Sequence, residues 1–124
     1  VKLNFLNKWI SHRNLVANLY LNELGSFSNM ILPVKQKWAV HAYHLFVVRH
    51  QNRSSIIEKC SKLGIQTSIH YPIALPKLKA FKYLEQSEEK GFCWVEDVNL
   101  LSLPIGEHIN LDSLKRKLEE LTLL

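Results

Sequence analysis

The stretch Trp38-Ala39-Val40-His41-Ala42-Tyr43-His44-Leu45-Phe46-Val47-Val48-Arg49 is the clearest strand signal in the sequence. It is rich in β-branched and aromatic residues and carries one charge, so it reads as a strand. Its apolar residues fall on both faces, Val40, Ala42, Phe46 and Val48 on one and Tyr43, Leu45 and Val47 on the other. A strand apolar on both faces is expected in the middle of a covered sheet.

Just after it, Asn52 or Ser54 can cap a following helix by accepting backbone N–H bonds. Ile56, Ile57, Cys60 and Leu63 form that helix's apolar face, and Gly64 ends it. Ile65–Ile69 alternates, with Ile65, Thr67 and Ile69 on one side and Gln66, Ser68 and His70 on the other, which predicts a strand. Tyr71-Pro72 stops it, because proline cannot donate to a ladder. Lys77–Leu84 reads as a short helix, Glu85–Gly91 as a loop, Trp94–Leu100 as a further helix and Leu101–Ile105 as a strand. Asn110 or Asp112 caps a last helix with Leu111, Leu114, Leu118 and Leu121 inward, and Lys115–Glu119 and Arg116–Glu120 as outer pairs. On the N-terminal side, Leu3, Leu6, Ile10, Ala17, Tyr20 and Leu24 line one face of a long helix, Gly25 takes its C′ position and Ser26–Pro33 is a loop. The economical packing is a three-stranded sheet covered by helices, an α+β domain bordering on α/β. The opening helix has more apolar face than so small a sheet needs. It is expected to be a connector, with self-association through that face as the alternative.

The 124 residues are 47% hydrophobic and 22% charged, which fits one folded domain and excludes disordered and collagen-like classes. No apolar run is long enough for a membrane span. Val1–Leu24 does not resemble a signal peptide, and Cys60 and Cys93 read as ordinary thiols, so a cytoplasmic location is expected. The first residue is Val, as in a processed chain or a fragment of a longer one. The net charge of +5 is uneven: residues 1–62 hold nine Lys/Arg against two acids, residues 63–124 seven against nine. A basic half can attract phosphate or nucleic acid, although a solvated surface is the simpler reading.

Residues with chemical potential are few. His41 and His44 are three apart, and on a strand that offset puts the rings on opposite faces, so no metal site is expected. Cys60 on an apolar helix face reads as an inert packing thiol. The four glycines are isolated and build no phosphate loop, and no nucleophile elbow is present. His70 and Tyr71 stand together at a strand end stiffened by prolines, where an imidazole and a phenol could bind phosphate or sugar hydroxyls. Spacing alone equally allows His70 to cap the strand and Tyr71 to pack on the core.

An ordered series changes that balance. Tyr43–Arg49, Asn52-Arg53, Leu63–Ile73 (with Ile69-His70-Tyr71-Pro72) and Leu101-Ser102-Leu103-Pro104-Ile105 together resemble the C-terminal region of the DegT/DnrJ/EryC1/StrS aminotransferases. Leu6–Asn14 resembles that family's interdomain helix. The resemblance implies the fold of the C-terminal domain of fold-type I aminotransferases, with residues 1–24 as interdomain connector and 25–124 as small C-terminal domain. It implies a pyridoxal phosphate-binding large N-terminal domain outside this chain. It implies transfer of an amino group from glutamate or glutamine to a nucleotide-linked keto sugar, in amino-sugar biosynthesis for surface polysaccharide or glycosylated metabolites, by an enzyme that is a homodimer when intact. Neither a nucleic-acid nor a membrane partner is implied.

The family's Schiff-base lysine and pyridine-facing aspartate have no counterpart here: the aspartates are Asp97 and Asp112, and none of the twelve lysines stands in a matching motif. The chain is therefore expected to hold no cofactor and to be inactive alone. By the same resemblance His70 and Tyr71 are the substrate-binding residues, while Tyr43 and His44 pack or support from behind. Many members continue with a P-x-H-L-Q-like stretch where this chain has Ile73-Ala74-Leu75-Pro76-Lys77-Leu78, so that histidine and glutamine are missing and Lys77 or Lys79 is the available substitute. Two other readings compete: a free-standing basic module that binds RNA or another anion, and a dimerisation piece.

Overall fold

The computed structural model describes residues 1–27, 29–84 and 99–123. A 3-10 turn, Lys2–Phe5, leads into helix α1, Leu6–Leu24. Strand β1 is Met30–Ile31, β2 is Phe46–His50, helix α2 is Arg53–Lys62, β3 is Leu100–Leu103 and helix α3 is Leu111–Leu123. Two 3-10 turns, Leu75–Lys77 and Lys79–Leu84, lie between α2 and β3.

The sheet is antiparallel in the order β1-β2-β3, with Val47 opposite Ser102 and Arg49 opposite both Leu100 and Ile31. The expected three-stranded sheet covered by helices is therefore present, built from partly different strands. β2 is the middle strand, but it spans only the last part of the stretch from Trp38. Trp38 is 84% exposed and Val40 97% exposed, on irregular backbone rather than in a sheet. The reason lies in Tyr43, whose φ of 46° is left-handed and breaks the extended run. Phe46 and Val48 are buried while Val47 and Arg49 are half-buried, so β2 covers one face fully and the other partly. Ile65–Ile69 forms no full strand; Ser68 alone bridges Ser102. β1 lies in the segment read as a loop. The expected loop 85–91 and nearly all of the helix expected over 94–100 fall outside the described residues.

The caps explain where the helices sit. Asn52 Oδ1 accepts from Ser55 N at 3.1 Å and Asn110 Oδ1 from Ser113 N at 2.9 Å, so asparagine takes the cap in both cases. At the end of α2, Gly64 N donates to Ser61 O (3.0 Å) and Ile65 N to Cys60 O (2.8 Å), with Gly64 at φ 64°. That is a Schellman motif, and the buried Ile65 and Cys60 supply its apolar contact. Lys117 Nζ adds a bond to Gly64 O at 2.9 Å. Gly25, by contrast, keeps φ −59°, so it does not adopt the left-handed C′ form; a Cβ there would stand 2.8 Å from Leu21 O.

Val16, Ala17, Tyr20 and Leu24 of α1 pack with Leu114, Leu118 and Leu121 of α3, Phe46 and Val48 of β2, and Leu101 and Leu103 of β3. The far half of α1 is thus core. Its near half leaves Leu3 80% exposed, with Leu6 also exposed and Phe5 stacked on Trp9. Tyr20 donates to Pro104 O at 2.7 Å and its ring lies 4.9 Å from Phe46. Among the described residues, no helix is long and apolar enough to cross a membrane.

The irregular segment before β2 is held by polar side chains of α1. Arg13 Nη1 donates to Tyr43 O (3.0 Å) and His44 O (3.2 Å), and Asn14 Nδ2 donates to His41 O (2.8 Å). Arg13→Ala is expected to cost about 1–2 kcal/mol, the scale of charged hydrogen bonds at a partly exposed site. Denaturant unfolding measures that loss, and hydrogen exchange shows faster amides over residues 41–45.

Burial also pushes the Cys60 thiol up to about 11 from an ordinary 9.0, and it pushes the Tyr20 phenol up further, with Cys60 adding to the effect. Both groups hold their protons more tightly folded than unfolded. Their contribution to stability is therefore complete below about pH 9 and falls as pH rises toward 11 and beyond. Denaturant midpoints measured from pH 7 to 11 are expected to stay level and then drop above about pH 9, with a later drop in Cys60→Ala.

Candidate functional site

The route from α2 to β3 builds the site. The Schellman turn sends the chain from Cys60 through Ile65 to Ser68. There Ser68 N donates to Ser102 O (3.0 Å) and Ser102 N to Ser68 O (2.8 Å). This pair adds one rung to the outer edge of β3. Two residues on, His70 Nδ1 lies 2.8 Å from Ser102 Oγ. Among the described residues this is the only hydrogen bond of the His70 side chain.

Tyr71 follows with φ 54°, a left-handed backbone in a residue that disfavours it by about 1–2 kcal/mol. Pro72 narrows its options further. Its side chain is 77% exposed, so the phenol does not pack on the core of this chain. Strained backbone of this kind is often found at ligand-binding positions, which keeps Tyr71 a candidate. Beyond it, Lys77 and Lys79 sit in the two 3-10 turns with exposed side chains.

Tyr43 and His44 are placed differently. Tyr43 is buried, stacks on His41 with centroids 4.1 Å apart and lies 6.0 Å from Phe46. Its amide donates to His41 Nδ1 at 3.0 Å. His44 is exposed, and its carbonyl accepts from Arg13. Among the described residues no hydrogen bond or ring contact joins the Tyr43–His44 pair to His70–Tyr71. His41 and His44 do not lie on a strand, so the opposite-face argument does not apply to them; His41 Nδ1 is engaged by the Tyr43 amide. Among the described residues no group of three or more His, Cys, Asp or Glu converges.

Sequence reasoning passed over Ser102, Arg13 and Asn14 as functional candidates. The signal for Ser102 was a lone hydroxyl between two leucines of a strand. The signal for Arg13 and Asn14 was polar residues on an otherwise apolar helix face. A cleft of about 660 Å³ lies elsewhere, lined by Glu23, Phe27, His50, Asn52 and Lys59 among others, and none of the expected site residues lines it.

The profile of the DegT/DnrJ/EryC1/StrS aminotransferase family matches residues 1–122. The chain belongs to this family. It is 35% identical over 115 residues to the erythromycin biosynthesis sensory transduction protein EryC1 of Saccharopolyspora erythraea, covering 91% of this chain and 31% of that protein. It is 31% identical over 121 residues to dTDP-3-amino-3,6-dideoxy-alpha-D-galactopyranose transaminase of Aneurinibacillus thermoaerophilus, covering 96% of this chain and 32% of that one. Among solved structures, DesV of Streptomyces venezuelae in complex with a ketimine intermediate superposes with a TM-score of 0.78 at 27% identity, over 94% of this chain and 34% of that chain. The chain thus spans about a third of the length of the relatives it matches.

Among the described residues, none fits the role of a Schiff-base lysine for pyridoxal phosphate. Among the described residues no lysine is buried, and an exposed ammonium stays protonated and forms imines poorly. Lys62 pairs with Glu58 at 2.8 Å, Lys115 with Glu119 at 3.9 Å, and Lys117 caps Gly64. Asp112 lies in the first turn of α3, where it faces the helix dipole.

The two left-handed tyrosines respond oppositely to glycine. Tyr71→Gly is expected to raise stability by about 1 kcal/mol, because it relieves strain and loses little packing. Tyr43→Gly is expected to lower it by about 2–4 kcal/mol, since a buried ring is lost. Chemical denaturation of the two variants measures both signs.

Proposed function

We propose that this chain is the substrate-side, C-terminal domain of a pyridoxal phosphate-dependent aminotransferase acting on nucleotide-linked keto sugars. His70 and Tyr71 reach the bound sugar nucleotide. Residues 1–24 connect to the large domain and 25–124 form the small domain, whose core also takes in Val16, Ala17, Tyr20 and Leu24 of the connector. The observation that carries this reading is the His70–Tyr71 pair itself: an imidazole held on one nitrogen, beside an aromatic side chain turned out to solvent on strained backbone. It stands in a chain of the aminotransferase family. The relatives support the substrate class, since one is named as a transaminase of a dTDP-linked aminosugar.

On this reading the cofactor supplies the amino-transfer chemistry from the large domain, together with its lysine and aspartate. The residues of this chain bind and orient. The imidazole offers one polar nitrogen to a diphosphate or sugar hydroxyl, and the phenol offers a face and a hydroxyl. Tyr43 and His44, held by Arg13, keep the neighbouring segment in shape. The amino donor is glutamate or glutamine, and the intact enzyme works as a homodimer in the cytoplasm. The exposed apolar start of α1 favours a part of a larger enzyme over a free-standing anion-binding module.

In the intact enzyme, His70→Ala is expected to raise KM for the nucleotide sugar by about ten- to a hundredfold, the value of a hydrogen bond to a charged group. The cofactor spectrum should stay unchanged. Steady-state kinetics with the cofactor band as control check this, and kinetics equal to wild type would remove His70 from the site. The 124-residue chain alone, mixed with pyridoxal phosphate, should show neither an imine band nor transamination; activity there would overturn the assignment to a substrate-side domain.

A further inference from the structure

Ser102 is unusual for its place. It stands between Leu101 and Leu103 of β3 and is the one buried polar residue among those described, 4% exposed. Alternation sends Leu101 and Leu103 into the core and Ser102 to the other face of the sheet, beside Val47. Burying a hydroxyl is costly unless it is hydrogen-bonded, and this one meets His70 Nδ1 at 2.8 Å. The backbone pair between Ser68 and Ser102 fixes both ends of that contact, two residues before the ring. His70 is otherwise exposed, and among the described residues its Nε2 has no hydrogen-bond partner.

We infer that Ser102 is the positioning residue of His70, holding Nδ1 so that Nε2 is the nitrogen presented to the sugar nucleotide. This rests on the reading of His70 as a substrate contact. A hydroxyl both donates and accepts. It can donate to a bare Nδ1 and accept from a protonated one, so the ring keeps its orientation whichever charge it carries. A carboxylate in its place would favour the charged ring.

Two amides separate the nitrogens. Asparagine puts its amide near the Nδ1 position and glutamine near Nε2. In the intact enzyme, His70→Gln is expected to keep most of the affinity for the nucleotide sugar, while His70→Asn falls to the level of His70→Ala. Ser102→Ala removes one oxygen and leaves both backbone bonds to Ser68. It is expected to raise KM about three- to tenfold, the range of a neutral hydrogen bond, with kcat little changed. In the His70→Gln background it should add nothing, because no Nδ1 remains to hold. Ring-nitrogen resonances of histidine-labelled enzyme give a readout apart from activity: Ser102→Ala should move the Nδ1 signal assigned to His70.

Wild-type affinity and an unmoved Nδ1 signal in Ser102→Ala, with His70→Ala still impaired, would overturn the positioning role and leave the site intact. An equal loss from Ser102→Ala in both backgrounds would mark a purely structural effect and overturn it too. Asparagine outperforming glutamine would reverse the assignment of the nitrogens. No effect of His70→Ala would remove the site, and this inference with it.

Discussion

Two backbone hydrogen bonds between Ser68 and Ser102 hold the His70–Tyr71 end of this chain in place. They are a single rung, not a strand, yet they settle three things. They set the register of the segment leaving α2 against β3. They bring His70 over the Ser102 hydroxyl, which meets its Nδ1. They also leave Tyr71 to turn outward at once, on a left-handed backbone, before Pro72. A full strand would have continued the alternation and buried the next side chain. One rung anchors the chain and then releases it.

Behind that rung stands the end of α2. Gly64 takes the left-handed position that glycine tolerates best, and the two Schellman bonds redirect the chain by a fixed angle. Ile65 drops into the core as the turn closes. The site is thus supported from a capped helix on one side and a paired strand on the other. Rigid elements of this kind position side chains more closely than a long loop does.

Much of this was legible in the sequence. Helix periodicity with asparagine caps placed α2 and α3 to within a residue or two, and Leu114, Leu118 and Leu121 point inward as their spacing requires. The sheet was harder. Strand propensity in the stretch from Trp38 is genuine, but Arg13 and Asn14 capture its backbone carbonyls and Tyr43 breaks its direction. Those are tertiary effects, and no window of sequence contains them. β1 has two residues, too few to leave a period. The His70–Tyr71 pair stood out as a candidate by residue type and by resemblance to the family. The hydroxyl beneath it lies 32 residues away, and only the pairing of Ser68 with β3 brings it there.

The packing of α1 on α3 has a consequence for how the domain is made. The first helix in the sequence and the last share one core, and Tyr20 bonds to Pro104 across 84 positions. During synthesis the apolar side of α1 leaves the ribosome long before its covering helix exists. Contacts of such sequence separation form slowly, and unshielded apolar surface invites association with other chains meanwhile. Vectorial translation therefore leaves this domain open until its final turn emerges, and chaperone capture of α1 would fall within that interval.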